Sequence, residues 1–192
     1  DLRLPRLEAM TVARLRLLLL CLLLLPTGGL SAQVAPTEYD VKAAFLYNFA
    51  RFAQWPQEVD SGTLRICLLG DAPFGPAFDD IVGQTVRQKR IEVQTIGSVS
   101  STDSCHVLFV TPAINKQRGR KIFTTVATRP ILTVGDGEDF VRAGGMIGFV
   151  IRGKKVRFLV NPAAAEAGYE ALVVEFMPRI TRAQSMDILS SQ

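Results

Sequence analysis

Three short apolar runs constrain what this chain can fold into: Leu64-Arg-Ile-Cys-Leu-Leu69, Cys105-His-Val-Leu-Phe-Val110 and Ile131-Leu-Thr-Val134. The first two stop at turn residues, Gly70-Asp71 and Thr111-Pro112. Runs that are apolar throughout, rather than alternating, read as strands buried on both faces. Helical patterns lie among them, at residues 76–82 and 115–127, with a helical turn at 140–143. A further strand with partial alternation is expected at residues 90–96, and strands at 146–152 and 156–160 flank the hairpin signal Gly153-Lys154. Asn161 then caps a helix that opens with Pro162. The expected fold class is α/β: a three-layer sandwich with a mostly parallel central sheet and a C-terminal antiparallel hairpin.

Ahead of the first strand, Tyr39 to Trp55 reads as an aromatic-rich amphipathic helix. Val41, Phe45, Phe49 and Phe52 recur at helical spacing and define one apolar face. Thr37 is placed to cap the start, with Asp40 three residues on in the capping-box position. Pro56 stops the helix and pushes Trp55 out of helical geometry.

The leading segment has a different character. Arg14 and Arg16 precede an apolar run from Leu17 to Leu25, then a Pro-Thr-Gly-Gly break and the small-residue site Leu30-Ser31-Ala32. That is the layout of a secretory signal peptide. The run is short for a bilayer span, which needs about 20 residues. Cys21 lies among leucines with no small residue before it, which argues against lipidation. Residues 1–32 are therefore expected to be upstream read-through plus signal peptide, with the start at Met10, and residues 33–192 a single domain. Cleavage would remove Arg3, Arg6, Arg14 and Arg16 against Asp1 and Glu8, taking the formal net charge from +4 to +2. The basic isoelectric point therefore says little about nucleic acid. About 160 residues remain, enough for one domain with a real core.

Cys67 and Cys105 are the cysteines beyond the leader. An even number in an exported chain suggests a disulfide. If their strands lie side by side, the bond closes a 38-residue loop and contributes about 4 kcal/mol in the chain-entropy model. Two buried free thiols are the plainer alternative.

Catalytic patterns are missing. His106 is the single histidine. On a strand, neighbours point to opposite faces, so Cys105 and His106 make a poor nucleophile–base pair. A histidine satisfied by a local hydrogen bond is the expectation. Gly135-Asp-Gly-Glu-Asp-Phe140 lacks the third glycine of a dinucleotide fingerprint, and its carboxylates would repel a pyrophosphate. It reads as a turn and a helix cap. The adjacent pairs Asp79-Asp80 and Glu138-Asp139 read as solvated loops. There is no G-x-S-x-G elbow, no Walker sequence and no zinc spacing. The sequence asks for no cofactor and no metal, and an enzyme is the least favoured class.

Binding leaves two openings. A small ligand of a parallel sheet sits at the carboxyl ends of its strands; Gly70, Asp71, Phe74, Thr111, Pro112 and Asp136 would line such a crevice, or else serve as ordinary turn residues. Two basic patches, Arg87-Gln-Lys89-Arg90 and Lys116-Gln-Arg118-Gly-Arg120-Lys121, could meet an anionic partner or a membrane surface, although solvated faces are commoner. No aromatic interleaving supports nucleic acid as a partner.

The motifs taken together resemble the YfiR family of periplasmic proteins. Val41-Lys-Ala-Ala-Phe-Leu-Tyr-Asn-Phe-Ala-Arg-Phe52 with Trp55-Pro56 is similar to the family's opening signature. In order follow Ile66-Cys-Leu-Leu-Gly-Asp71 with Pro73-Phe74-Gly75, Ser104-Cys-His-Val-Leu-Phe109, Ile131-Leu-Thr-Val-Gly-Asp136, Phe140 with Gly144-Gly145-Met-Ile-Gly-Phe149, and Val156-Arg-Phe158 with Asn161. The resemblance implies a periplasmic repressor of a membrane diguanylate cyclase. Such a protein holds the enzyme's periplasmic sensor region and restrains cyclic di-GMP synthesis, with consequences for biofilm formation. It also implies relief of repression by redox state or by an outer-membrane lipoprotein, and members often form homodimers. A sensory module serving a histidine kinase or a transport system is the alternative. Cys67 and Cys105 match the family's cysteine positions in these strands, which implies a redox-linked structural role. The chain lacks the second cysteine pair that some relatives carry, and Glu175-Phe-Met-Pro-Arg-Ile-Thr-Arg182 departs from the usual ending.

Overall fold

The computed structural model describes residues 35–53, 55, 62–71 and 73–164. The expected leader, Pro56, most of the helix expected after Asn161 and the tail lie outside the described residues.

Helix α1, Glu38–Phe52, begins at the expected capping box: the Thr37 hydroxyl accepts from the Asp40 N–H while the Asp40 carboxylate accepts from the Thr37 N–H. The helix ends earlier than its pattern suggests. Ala53 is already extended, so the chain leaves helical geometry before Trp55.

The apolar runs become strands of one seven-stranded sheet, in the order β2-β3-β1-β4-β5-β6-β7. Here β1 is Thr63–Leu69, β2 Thr85–Val86, β3 Lys89–Ile96, β4 Val107–Val110, β5 Leu132–Asp136, β6 Ile147–Arg152 and β7 Lys155–Val160. The pairs β3–β1, β1–β4, β4–β5 and β5–β6 are parallel; β2–β3 and β6–β7 are antiparallel. Counting the parallel strands in chain order gives the 2-1-3-4-5 arrangement of doubly wound sheets. Gly153 supplies the positive φ for the expected β6–β7 turn.

The β2–β3 hairpin is an addition to the sequence reading. Its two-residue turn puts Arg87 and Gln88 at φ values of 49° and 67°. Such turns are usually built from Asn and Gly, so Arg-Gln hid it, and half of one basic patch is hairpin turn. The helix expected at 76–82 is shorter too, a 3-10 turn over Gly75–Phe78.

Alternating strand residues feed two cores. One face of the sheet carries Ile66, Leu68, Val107, Phe109 and Val134, covered by α1 and by Phe74, Phe78 and Ile81. The other carries Cys67, Leu69, Leu108 and Val110, covered by α2, Pro112–Val126, and by Phe140 of α3, Glu138–Arg142. These are the three layers. Pro112 occupies the first turn of α2, where its missing N–H costs nothing, so that helix starts before the expected Asn115.

Each core has its own lock. Under α1, the rings of Phe45 and Phe49 meet those of Phe149 and Phe158 at centroid distances of 5.2–6.1 Å. Such pairs each contribute about 0.5–1.5 kcal/mol beyond area burial. On the opposite face, Phe140 is fully buried against Phe123, with ring centroids 5.1 Å apart. A Cβ on Gly135 or Gly145 would collide with the Phe140 ring. Those glycines are what let the ring approach the backbone so closely.

The cysteines form the expected bond. Cys67 in β1 joins Cys105, two residues before β4, with Cα atoms 5.8 Å apart. Both are buried on the α2 face.

Candidate functional site

The 2-1-3-4-5 order places the topological switch point between β1 and β4, whose outgoing chains turn to opposite faces. Gly70, Asp71, Thr111 and Pro112 do gather there. Thr111 donates its N–H to the Leu69 carbonyl at 3.2 Å. The gathering is tight: a Cβ on Gly70 would stand 2.7 Å from both the Thr111 Oγ1 and the Ile114 Cγ1. Asp71 and Pro112 are exposed at the rim. Phe74 is turned into the core against Tyr39, Phe78 and Phe109. Asp136 stands apart from these five, at the end of β5 beneath the first turn of α1.

Around Asp136 there is a groove of about 390 Å³, lined by residues that include Tyr39, Lys42, Glu138, Phe149 and Arg152. Its organising residue is Lys42, which the apolar-stripe reading missed. The buried positions of α1 are Lys42, Ala43, Phe45, Leu46, Phe49 and Ala50; Val41 and Phe52 lie at the edge, partly buried. The signal was present, since Lys42 precedes Phe45, Leu46 and Phe49 by three, four and seven residues.

Its side chain is only 4 % exposed, and its ammonium lies 2.7 Å from the Asp136 carboxylate and 2.5 Å from Glu38. The ammonium also sits 4.7 Å from the centre of the Tyr39 ring, a cation–π contact. At the rim, Glu138 holds both Arg142 and Arg152 at 2.9 Å.

The electrostatics follow from burial against pairing. Burial works to lower the Lys42 value, but hydrogen bonds to Asp136 and Glu38 outweigh it, and the ammonium is held above its ordinary range. Burial raises the Asp136 carboxyl, with the Lys42 hydrogen bond pulling it back only partly. Burial likewise raises the Tyr39 hydroxyl, against the pull of Lys42. An ammonium held up in this way is neither a base nor a nucleophile at neutral pH. What the arrangement does is tie the start of α1 to the end of β5.

His106 is accounted for. Its Nδ1 accepts the Arg65 N–H at 3.1 Å, and its ring meets Trp55 edge to face at 5.4 Å. The bond is across strands rather than local. Among the described residues no set of three or more His, Cys, Asp or Glu is placed to hold a metal ion. No described helix is long and apolar enough to cross a membrane.

Fold and site together define a disulfide-linked doubly wound α/β domain with a groove built on a buried ion pair. The chain belongs to the YfiR/HmsC-like family, whose model matches residues 39–169. Comparison with curated proteins finds no match. The matched span includes the aromatic lock, both cysteines and the Phe140 glycine cradle. The glycines of the Phe140–Phe149 motif thus have packing roles: Gly145 clears the ring, and a Cβ on Gly148 would stand 2.7 Å from the Gly137 carbonyl.

Proposed function

We propose that this protein is a periplasmic regulator that binds the periplasmic sensor region of an inner-membrane diguanylate cyclase and restrains cyclic di-GMP synthesis. The family match over residues 39–169 carries this reading. The buried disulfide suits an oxidising compartment, and the N-terminal pattern of residues 1–32 supplies the route out of the cytoplasm. On this reading the pair Cys67–Cys105 is a structural brace, an outer-membrane lipoprotein is a second partner and a homodimer is a further state.

Deleting the gene tests the proposal in cells that carry the cognate cyclase. Cyclic di-GMP rises if the regulator is a repressor, and crosslinking from its surface recovers a membrane cyclase. Unchanged levels with no cyclase recovered would sink it.

A second reading, a small-molecule sensory module, draws on the groove around Lys42 and Asp136. Gly70, Asp71, Phe74, Thr111 and Pro112 would take part only through an opening at the switch point. A thermal-shift screen of small metabolites checks it, because a ligand present well above its Kd stabilises the fold. A stabiliser that loses its effect in Lys42→Met supports the module, and a flat screen counts against it.

A further inference from the structure

Helix α2 carries a face that the described residues leave uncovered. Gly119, Ile122, Phe123 and Val126 are its buried side. Lys116, Arg118, Arg120 and Lys121 are all exposed, and the helix contains no acidic residue. At about 100° per residue, Lys116 and Arg120 flank one side of the exposed arc and Arg118 and Lys121 the other. None of the four joins an ion pair with another described residue. Glu138 is engaged by Arg142 and Arg152 and Asp103 by Arg129, which leaves exposed Asp71, beside the first turn, as the acid at that end of the helix. Like charges three and four residues apart repel one another on a helix, and here nothing in the described chain compensates them.

The rest of the face shows which anion suits it. Among described residues the exposed large hydrophobics are Val82 and Ile151, and neither lies on α2. The Thr124 and Thr125 hydroxyls turn back to donate to the carbonyls of Arg120 and Lys121. A protein partner needs an aromatic or aliphatic anchor that becomes buried. A convex charged face without one gives attraction with no fixed register, which suits a fluid layer of phosphate headgroups.

We infer that α2 is a docking face for an anionic phospholipid bilayer, held by Lys116, Arg118, Arg120 and Lys121. Each cation close to such a surface strengthens binding about fivefold, and salt screens the attraction within about 8–10 Å. The inference does not depend on the regulatory reading, because its test contains no cyclase.

The test is sedimentation of the full chain with vesicles of phosphatidylcholine, with or without phosphatidylglycerol, at low and high salt. Wild type should bind the phosphatidylglycerol vesicles preferentially and lose binding as salt rises. The variant K116Q/R118Q/R120Q/K121Q should bind them at least about tenfold more weakly. The charge-preserving K116R/R118K/R120K/K121R should stay within about twofold of wild type. Since all three proteins share the rest of the chain, their differences isolate α2. Equal binding by wild type and the Gln variant, or no preference for phosphatidylglycerol, overturns the inference. So does a charge-preserving variant as weak as the Gln variant, because that marks a partner reading guanidinium geometry. Should the Gln variant fail to fold, the milder K116Q/R120Q and R118Q/K121Q take its place: each should bind at least about fivefold more weakly than wild type, and binding equal to wild type by both overturns the inference.

Discussion

The two faces of the sheet solve the same burial problem by different means. Under α1 the packing is aromatic, with Phe45, Phe49, Phe149 and Phe158 in mutual contact and one ion pair, Lys42–Asp136, let into the edge. Under α2 and α3 it relies on a disulfide and on the ring of Phe140, seated between glycines and edge-on to Phe123. Their outer surfaces differ too. Of their charged groups, the α1 side exposes Glu38, Asp79 and Asp80 together with Arg51, whereas those exposed on α2 are all cations. A face packed by large side chains tolerates a buried charge at its margin, because long aliphatic and aromatic groups shield it. A face packed by glycines and a covalent link has no such slack.

That contrast can be broken most severely from the α1 side. Phe149→Ala should cost about 4 kcal/mol in denaturant unfolding, by emptying the centre of the ring cluster. A loss under 1 kcal/mol would mean that the cluster closes over the gap. Removing the disulfide as Cys67→Ala with Cys105→Ala should cost nearly as much, about 3–4 kcal/mol, read by the same titration. Equal stability of oxidised and reduced wild type would reduce the bond to decoration.

A middle-sized effect lies in the ion pair. Asp136→Ala alone leaves a buried ammonium with Glu38 as its remaining carboxylate and should cost about 2–3 kcal/mol. Replacing both members, as Lys42→Met with Asp136→Leu, should return most of that loss. A double variant as unstable as the single one would show that the pair carries stability no apolar substitute provides. The pH dependence sharpens this. Because the folded chain holds Lys42 above its ordinary value, the pair's contribution is complete at neutral pH. It is lost as pH climbs past about 10.4 and through the folded value. Asp136 is also raised, so its burial favours folding in acid and turns into a cost as pH rises through that value. Denaturant unfolding from pH 9 to 12 should therefore fall more steeply for wild type than for Lys42→Met.

Smallest is the edge of the sheet. Gln88 sits at φ 67° in the β2–β3 turn, so Gln88→Gly should add about 0.5–1 kcal/mol. A destabilisation instead would show that its side chain is needed.

Much of this was legible in the residues, for physical reasons. Apolar runs of this shortness, bounded by turn residues, read as buried strands rather than helices, and Gly153-Lys154 is turn chemistry, so the parallel core and the late hairpin followed. The Cys67–Cys105 bond was legible from an even cysteine count in an exported chain, and the pairing of β1 with β4 meets the condition it needed. The β2–β3 hairpin escaped because tertiary contacts, including Arg87 reaching the Ala53 carbonyl, hold a turn its residues disfavour. Lys42 escaped because a stripe drawn through Val41, Phe45, Phe49 and Phe52 treats lysine as solvent-facing. The true buried face is rotated by about one residue, and only the position of Asp136, far away in sequence, makes that affordable. The strand-end location was legible, while the close packing of Gly70 with Thr111 and Ile114 there is set by atoms rather than by pattern.

The enclosure of Lys42 has a chemical consequence. An amine shielded by Tyr39 and Phe149 and held by two carboxylates reacts slowly with acylating reagents, while exposed lysines such as Lys116, Lys121 and Lys154 react at once. Its labelling rate is therefore a clock for the lifting of α1 from the sheet, and any partner that pries the helix open would make that clock run faster.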